Sequence, residues 1–117
     1  MQDYRSLTVW QDAHQLVKLI YPVVNLFPSE ERFNLTSQLN RAVVSVPTNI
    51  AEGCVKLTNA DKAKFFQIAL GSLQETEYLT FLSFELGFVK SNDFEVLEKE
   101  IGVVKGKLIN LIKRVRA

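Results

Sequence analysis

The chain has 117 residues, with 14 Lys and Arg against 13 Asp and Glu and a net charge of +1. That length suits one domain, and so balanced a charge lacks the basic excess of a protein built to coat nucleic acid. The single cysteine, Cys54, excludes an intramolecular disulfide and any multi-cysteine metal site.

No run approaches the roughly 18 apolar residues that a membrane-spanning helix needs. The opening segment has neither the basic start nor the apolar core of a secretory signal, so no membrane partner and a cytoplasmic location are expected.

The first helix is predicted over residues 8–27. Trp10, Ala13, Val17, Ile20, Val24 and Phe27 recur in steps of three and four and so share one face. Pro28 opposes a helical conformation in the residue before it and closes the segment; Pro22 interrupts the ladder inside it.

The second helix, over residues 34–53, is read from Leu35, Leu39, Ala42, Val46 and Ile50, with Gly53 as C-terminal cap. It must tolerate Pro47, which costs about 3 kcal/mol in a helix interior unless neighbours compensate. The third, over residues 59–86, opens on Thr58 or Asn59 and runs through Phe65, Phe66, Ala69, Leu73, Leu79, Leu82 and Leu86 to Gly87.

The fourth, over residues 92–115, gives the clearest pattern: Phe94, Leu97, Ile101, Val104, Leu108, Leu111 and Val115. Acidic residues early and basic residues late suit its dipole. Short connections between sequential helices predict an all-α, antiparallel, up-and-down four-helix bundle.

The third and fourth helices carry more apolar surface than one core stripe uses. Phe66, Ile68, Leu70, Phe81 and Phe84 spread around the third; Val96, Val103, Ile109 and Ile112 flank the main stripe of the fourth. Gly102 and Gly106, each about 1 kcal/mol worse than alanine inside a helix, are spaced to admit another backbone closely. Phe81, Phe84, Gly102 and Gly106 are therefore candidates for a self-association interface.

The second helix also carries a polar stripe. Gln38, Arg41, Ser45, Asn49 and Glu52 recur at three or four residues. With the turn to the third helix centred near Lys56, Ser45 is expected opposite Gln67, and Arg41 close enough to Glu75 for an ion pair with Gln38 nearby. Ser45 or Thr48 could satisfy a carbonyl left open by Pro47.

The string Arg41-Ala-Val-Val-Ser45-Val-Pro47-Thr48-Asn49-Ile-Ala-Glu52-Gly53 resembles the signature of the four-helix bundle proteins encoded in bacterial 23S rRNA intervening sequences. Leu7-Thr-Val-Trp10, Phe27-Pro28 followed by Glu31, Gln38-Leu39 and Phe66-Gln-Ile-Ala-Leu-Gly71-Ser72-Leu-Gln-Glu75 match in order, over nearly the whole chain. The resemblance implies a bundle that assembles into a cyclic ring, a pentamer in known members. It also implies kinship with the accessory protein of diversity-generating retroelements, a basic pentameric bundle that binds reverse transcriptase and nucleic acid; this chain departs from those in being nearly neutral. Position by position, the family pattern marks Arg41, Ser45, Pro47, Asn49, Glu52 and Glu75. These read as a buried network fixing helix register, in preference to a ligand- or RNA-facing site.

No catalytic constellation emerges. His14 is the only histidine and is expected on the surface. One histidine and one cysteine cannot build the usual zinc or Cys/His sites, and the Glu-x-x-His pairs of di-iron bundles are missing, so no catalytic residue, metal or cofactor is assigned. Basic residues gather late in the fourth helix: Lys105, Lys107, Lys113, Arg114 and Arg116. They read first as a solvated helix end and alternatively as phosphate contacts multiplied by symmetry in an oligomer. The sequence thus points to a non-enzymatic homo-oligomeric scaffold or protein-interaction module, or alternatively to an RNA-binding ring.

Overall fold

The computed structural model describes residues 2–117. Four helices account for most of them: α1 (Thr8–Val24), α2 (Leu35–Cys54), α3 (Asn59–Glu85) and α4 (Ser91–Arg116). Single 3-10 turns at Tyr4–Ser6 and Ser29–Glu31 complete the regular structure, and no strand occurs among the described residues. Each helix packs on its neighbours in sequence and α1 closes onto α4, while no contact crosses the diagonals. The result is an all-α bundle of square section. Its 43 Å long axis is set by α3, whose 27 residues span about 1.5 Å each.

Partners run in opposite order along adjacent helices, as an up-and-down chain requires. Between α2 and α3, Gln38 meets Glu75 and Ser45 meets Ser72. Between α3 and α4, Phe84 meets Phe94 and Glu77 meets Lys105. The α2–α3 register differs from the sequence expectation, because Ser45 faces Ser72 and not Gln67.

In α1 the buried stripe is Val9, Ala13, Leu16, Ile20 and Val24. Trp10 and Val17, assigned to the core by spacing, are half-buried and flank it. The helix also stops at Val24, short of Phe27. Leu26 and Phe27 donate instead to Val23 and Val24, three residues back, a tightened exit that lets Phe27 stay buried while the chain extends before Pro28.

Helix α2 passes through Pro47 without ending. Thr48 Oγ1 donates to the Val44 carbonyl and Asn49 Nδ2 to the Ser45 carbonyl; the carbonyl that Pro47 leaves open is that of Val43, four residues back, so neither Ser45 nor Thr48 closes it as expected. Gly53 is not a cap. It lies inside α2, fully buried, and a Cβ there would stand 2.5 Å from Phe66 Cε1. It is glycine because the Phe66 ring occupies that space.

Thr58 caps α3, its hydroxyl accepting from the Asp61 N–H at 3.1 Å. Gly87 ends that helix with φ +84°, and the Phe88 N–H reaches back to the Ser83 carbonyl, a left-handed closure that glycine adopts without strain. The core of α4 is Leu97, Ile101, Val104, Leu108, Leu111 and Ile112, with Phe94 and Val115 packed at its margins.

Candidate functional site

The polar stripe of α2 divides into two faces. Ser45 and Asn49 are half-buried against α3. Ser45 Oγ lies 2.8 Å from Ser72 Oγ, and Asn49 Nδ2 donates to both the Ser45 carbonyl and Ser45 Oγ at 2.8 and 2.9 Å. Pro47 is buried behind them.

Gln38 Nε2 donates to Glu75 Oε2 at 3.4 Å at the exposed edge of the same interface. The expected Arg41–Glu75 ion pair does not form. An α-helix turns about 100° per residue, so Arg41 sits some 40° around α2 from Ser45, turned outward from the bundle. There it lines a groove with Tyr21, Asn40, Val44, Thr48 and the outer edge of Ser45.

The α2–α3 network extends into the core through residues that apolar spacing alone does not find. Thr76 Oγ1 donates to the Ser72 carbonyl, Thr80 Oγ1 to Thr76 and Ser83 Oγ to Leu79, each at 2.7 or 2.8 Å. Thr76, Thr80 and Ser83 are fully buried and in phase with Phe66, Ala69 and Leu73. Counting Ser and Thr as permissible core residues at three-four spacing would have revealed them, since a hydroxyl can satisfy itself on the carbonyl one turn back.

The outer side of α1 and α2 forms a long shallow groove lined by Tyr4, Trp10, His14, Val17, Pro47 and Ala51, with Glu52 at its edge. Trp10 stacks on exposed His14 with ring centroids 4.9 Å apart and receives the Tyr4 edge. On the opposite side, α3 and α4 enclose a narrower groove of about 230 Å³. Tyr78, Phe81, Phe94, Glu77 and Glu98 line it.

Of the predicted interface residues, Phe84 stacks on Phe94 at 4.2 Å and belongs to the chain's own packing. Phe81 remains 45% exposed. Gly102 and Gly106 are exposed, and a Cβ at either would meet nothing within 4 Å. Nothing inside the chain requires glycine at those two positions.

The late basic residues of α4 do not form one patch. Lys105 Nζ pairs with Glu77 at 2.7 Å on the α3 flank; Lys107 pairs with Asp12 on the α1 flank. Arg116 reaches Gln67, whose side-chain oxygen, turned toward it, accepts two guanidinium contacts at 2.6 and 3.1 Å. Lys113 and Arg114 are exposed at the helix end.

Cys54 is buried, and burial pushes its thiol above the usual range, opposed by the nearby Lys62 charge. No group of three or more His, Cys, Asp or Glu is gathered for a metal among the described residues. No helix among them is long and apolar enough to cross a membrane.

These features can be set beside known proteins. A crystal structure of a protein with unknown function from the S23 ribosomal protein family of Bacteroides thetaiotaomicron has the same fold. It aligns with a TM-score of 0.82 at 23% identity, covering 91% of this chain and 99% of that one. No curated protein matches the sequence. The model for 23S rRNA-intervening sequence proteins matches residues 5–110, a span that takes in the α2 signature, the Ser45–Ser72 network and α4 except its last turns. The chain belongs to the 23S rRNA-intervening sequence protein family.

Proposed function

We propose that this protein is a non-enzymatic helical scaffold that self-assembles through the outer surfaces of its bundle. The observation that carries this reading is apolar surface left uncovered in mid-helix. Ile68, Tyr78 and Phe81 on α3 and Val96 and Val103 on α4 are all exposed, beside helical glycines that the fold itself does not need. Isolated exposed apolar residues are ordinary; Tyr78 and Phe81 stand together in the α3–α4 groove, while Val96 and Val103 share the other flank of α4, seven residues apart, and each pair offers surface for a partner to cover. The polar groups that might have formed a reaction centre are instead occupied by one another, Ser45 with Ser72 and Asn49, Gln38 with Glu75. The cyclic pentamer of the family is the assembly this reading favours. Sedimentation velocity on the intact chain at micromolar concentration tests it: a multiple of the 13.3 kDa chain mass supports it, and a monomer at every concentration refutes it.

A second reading, an oligomeric ring that binds RNA, is favoured by one observation. The α4 C-terminus lies against the start of α3, so Lys113, Arg114 and Arg116 share one end of the bundle with Lys64. An assembled ring would repeat that charge around an axis. Binding of structured RNA that weakens steeply as salt rises supports it; no binding at low ionic strength removes it.

A further inference from the structure

The α3–α4 groove offers exposed aromatic rings and one carboxylate, that of Glu98, which no described residue pairs. Tyr78, Phe81 and Phe94 supply the rings. Glu77 is held by Lys105, but Glu98 has no ion-pair partner among the described residues. At about 230 Å³ the groove is below the usual size of a small-molecule pocket and suited to one long side chain. Ring faces beside a carboxylate are the chemistry that binds a guanidinium, which stacks flat and donates in plane.

The chain carries five arginines, and three are engaged at home. Arg5 lies over the Tyr4 ring, Arg32 over Phe33, and Arg116 on Gln67. Of the other two, Arg114 is at the end of α4 while Arg41 is in the middle of α2, exposed and without a carboxylate partner among the described residues. Around the square of helices the α1–α2 face, where Arg41 sits, is opposite the α3–α4 face. A contact from one face to the other cannot be two-fold symmetric; repeated head to tail, it generates a ring when the rotation closes.

We propose that Arg41 of one copy inserts its guanidinium into the α3–α4 groove of the next, stacked on the Tyr78 and Phe81 rings and paired with Glu98. This rests on the self-assembly reading and names its contact. It also accounts for an arginine in the α2 signature that makes no contact with Glu75 in its own chain.

The test is a dilution series by sedimentation velocity on the full chain and on Arg41→Glu, Glu98→Arg and the double variant, with circular dichroism confirming that each is folded. Both sites are exposed, so the helices should persist. Each single variant is expected to weaken assembly on the order of 30-fold, the equivalent of a desolvated cation–π contact. The double variant is expected to return to within a few-fold of wild type. Single variants that assemble like wild type, or a double variant no better than the singles, overturn the Arg41 contact while leaving self-assembly standing. A wild-type chain that is monomeric throughout sinks both.

Discussion

Replacing Gly53 with alanine sets two effects of known sign against each other. Alanine is favoured over glycine in a helix interior by about 1 kcal/mol, so propensity alone predicts a more stable protein. The structure predicts the reverse. An added Cβ would lie 2.5, 2.8 and 3.2 Å from Phe66 Cε1, Cδ1 and Cζ, where carbon atoms ordinarily approach no closer than about 3.5 Å. Phe66 is 1% exposed, so its ring cannot swing into solvent, and either the ring or the α2 backbone must shift. Overpacking of this kind costs roughly 1–3 kcal/mol, and more where the neighbour is fixed. With an overlap near 1 Å the upper part of that range applies, leaving a net loss of about 1–2 kcal/mol after the propensity gain. For a chain this size that is on the order of 4–8 °C in melting temperature. Gly71→Ala is the matched control, because a Cβ there meets nothing within 4 Å; it should gain about 1 kcal/mol. Combining Gly53→Ala with Phe66→Leu should cost less than the sum of the two single changes, since the smaller side chain makes room. Thermal and urea unfolding of the four variants decide the matter. A Gly53→Ala protein as stable as wild type would refute the packing account.

Further outcomes follow from the same contacts. Thr80→Val replaces a fully buried hydroxyl, bonded only to the Thr76 carbonyl, by a methyl of similar shape. Urea unfolding should change by less than about 1 kcal/mol, whereas Ser45→Ala should cost about that much by stripping Ser72 and Asn49 of a partner. The Asp12–Lys107 pair joins α1 to α4 with side chains 30% and 42% exposed, so a double-mutant cycle should return no more than about 1 kcal/mol, falling with salt. Gly102→Ala and Gly106→Ala should each raise resistance to urea by about 1 kcal/mol and, on the self-assembly reading, weaken assembly on dilution; an unchanged dilution midpoint would remove these glycines from the interface. The raised thiol pKa of Cys54 means that its stabilising contribution is complete below the unfolded thiol's value, about 8.5, and is lost as pH rises through the folded one. Wild type should therefore lose more stability than Cys54→Ala between pH 8 and pH 10.5, measured by urea unfolding.

What the sequence conveyed depended on whether each helix position had one physical reading or two. In α4 a stripe one residue earlier, through Val96 and Val103, would bury Glu100 and Lys107, so period places the core at Leu97, Ile101, Val104 and Leu108, and all four are buried. In α1 the adjacent apolar pairs Val9-Trp10 and Leu16-Val17 allow two stripes one residue apart. Spacing picked Trp10 and Val17, and packing buried Val9 and Leu16, leaving the bulky indole at the margin to stack on His14. In α3 the ambiguity is chemical. A threonine on a helix can face water, or turn inward and bond its own backbone, and only the neighbouring helices decide which; Thr76, Thr80 and Ser83 turned inward.

The same division explains the candidate site. Ser45, Asn49 and Arg41 share a sequence spacing, yet a rotation of about 40° around α2 separates a pair enclosed by α3 from a side chain that faces outward. Short side chains on that arc can be satisfied within the bundle, and they are, at 2.8 and 2.9 Å. A guanidinium on a long stem, pointed away from α3, finds no carboxylate partner among the described residues. A chain alone can specify its core in this way; on the self-assembly reading, the acidic, aromatic groove on α3 and α4 and the unpaired arginine on α2 would meet between copies. For that reason Arg41 is the position at which a change should leave the fold intact and alter the assembly.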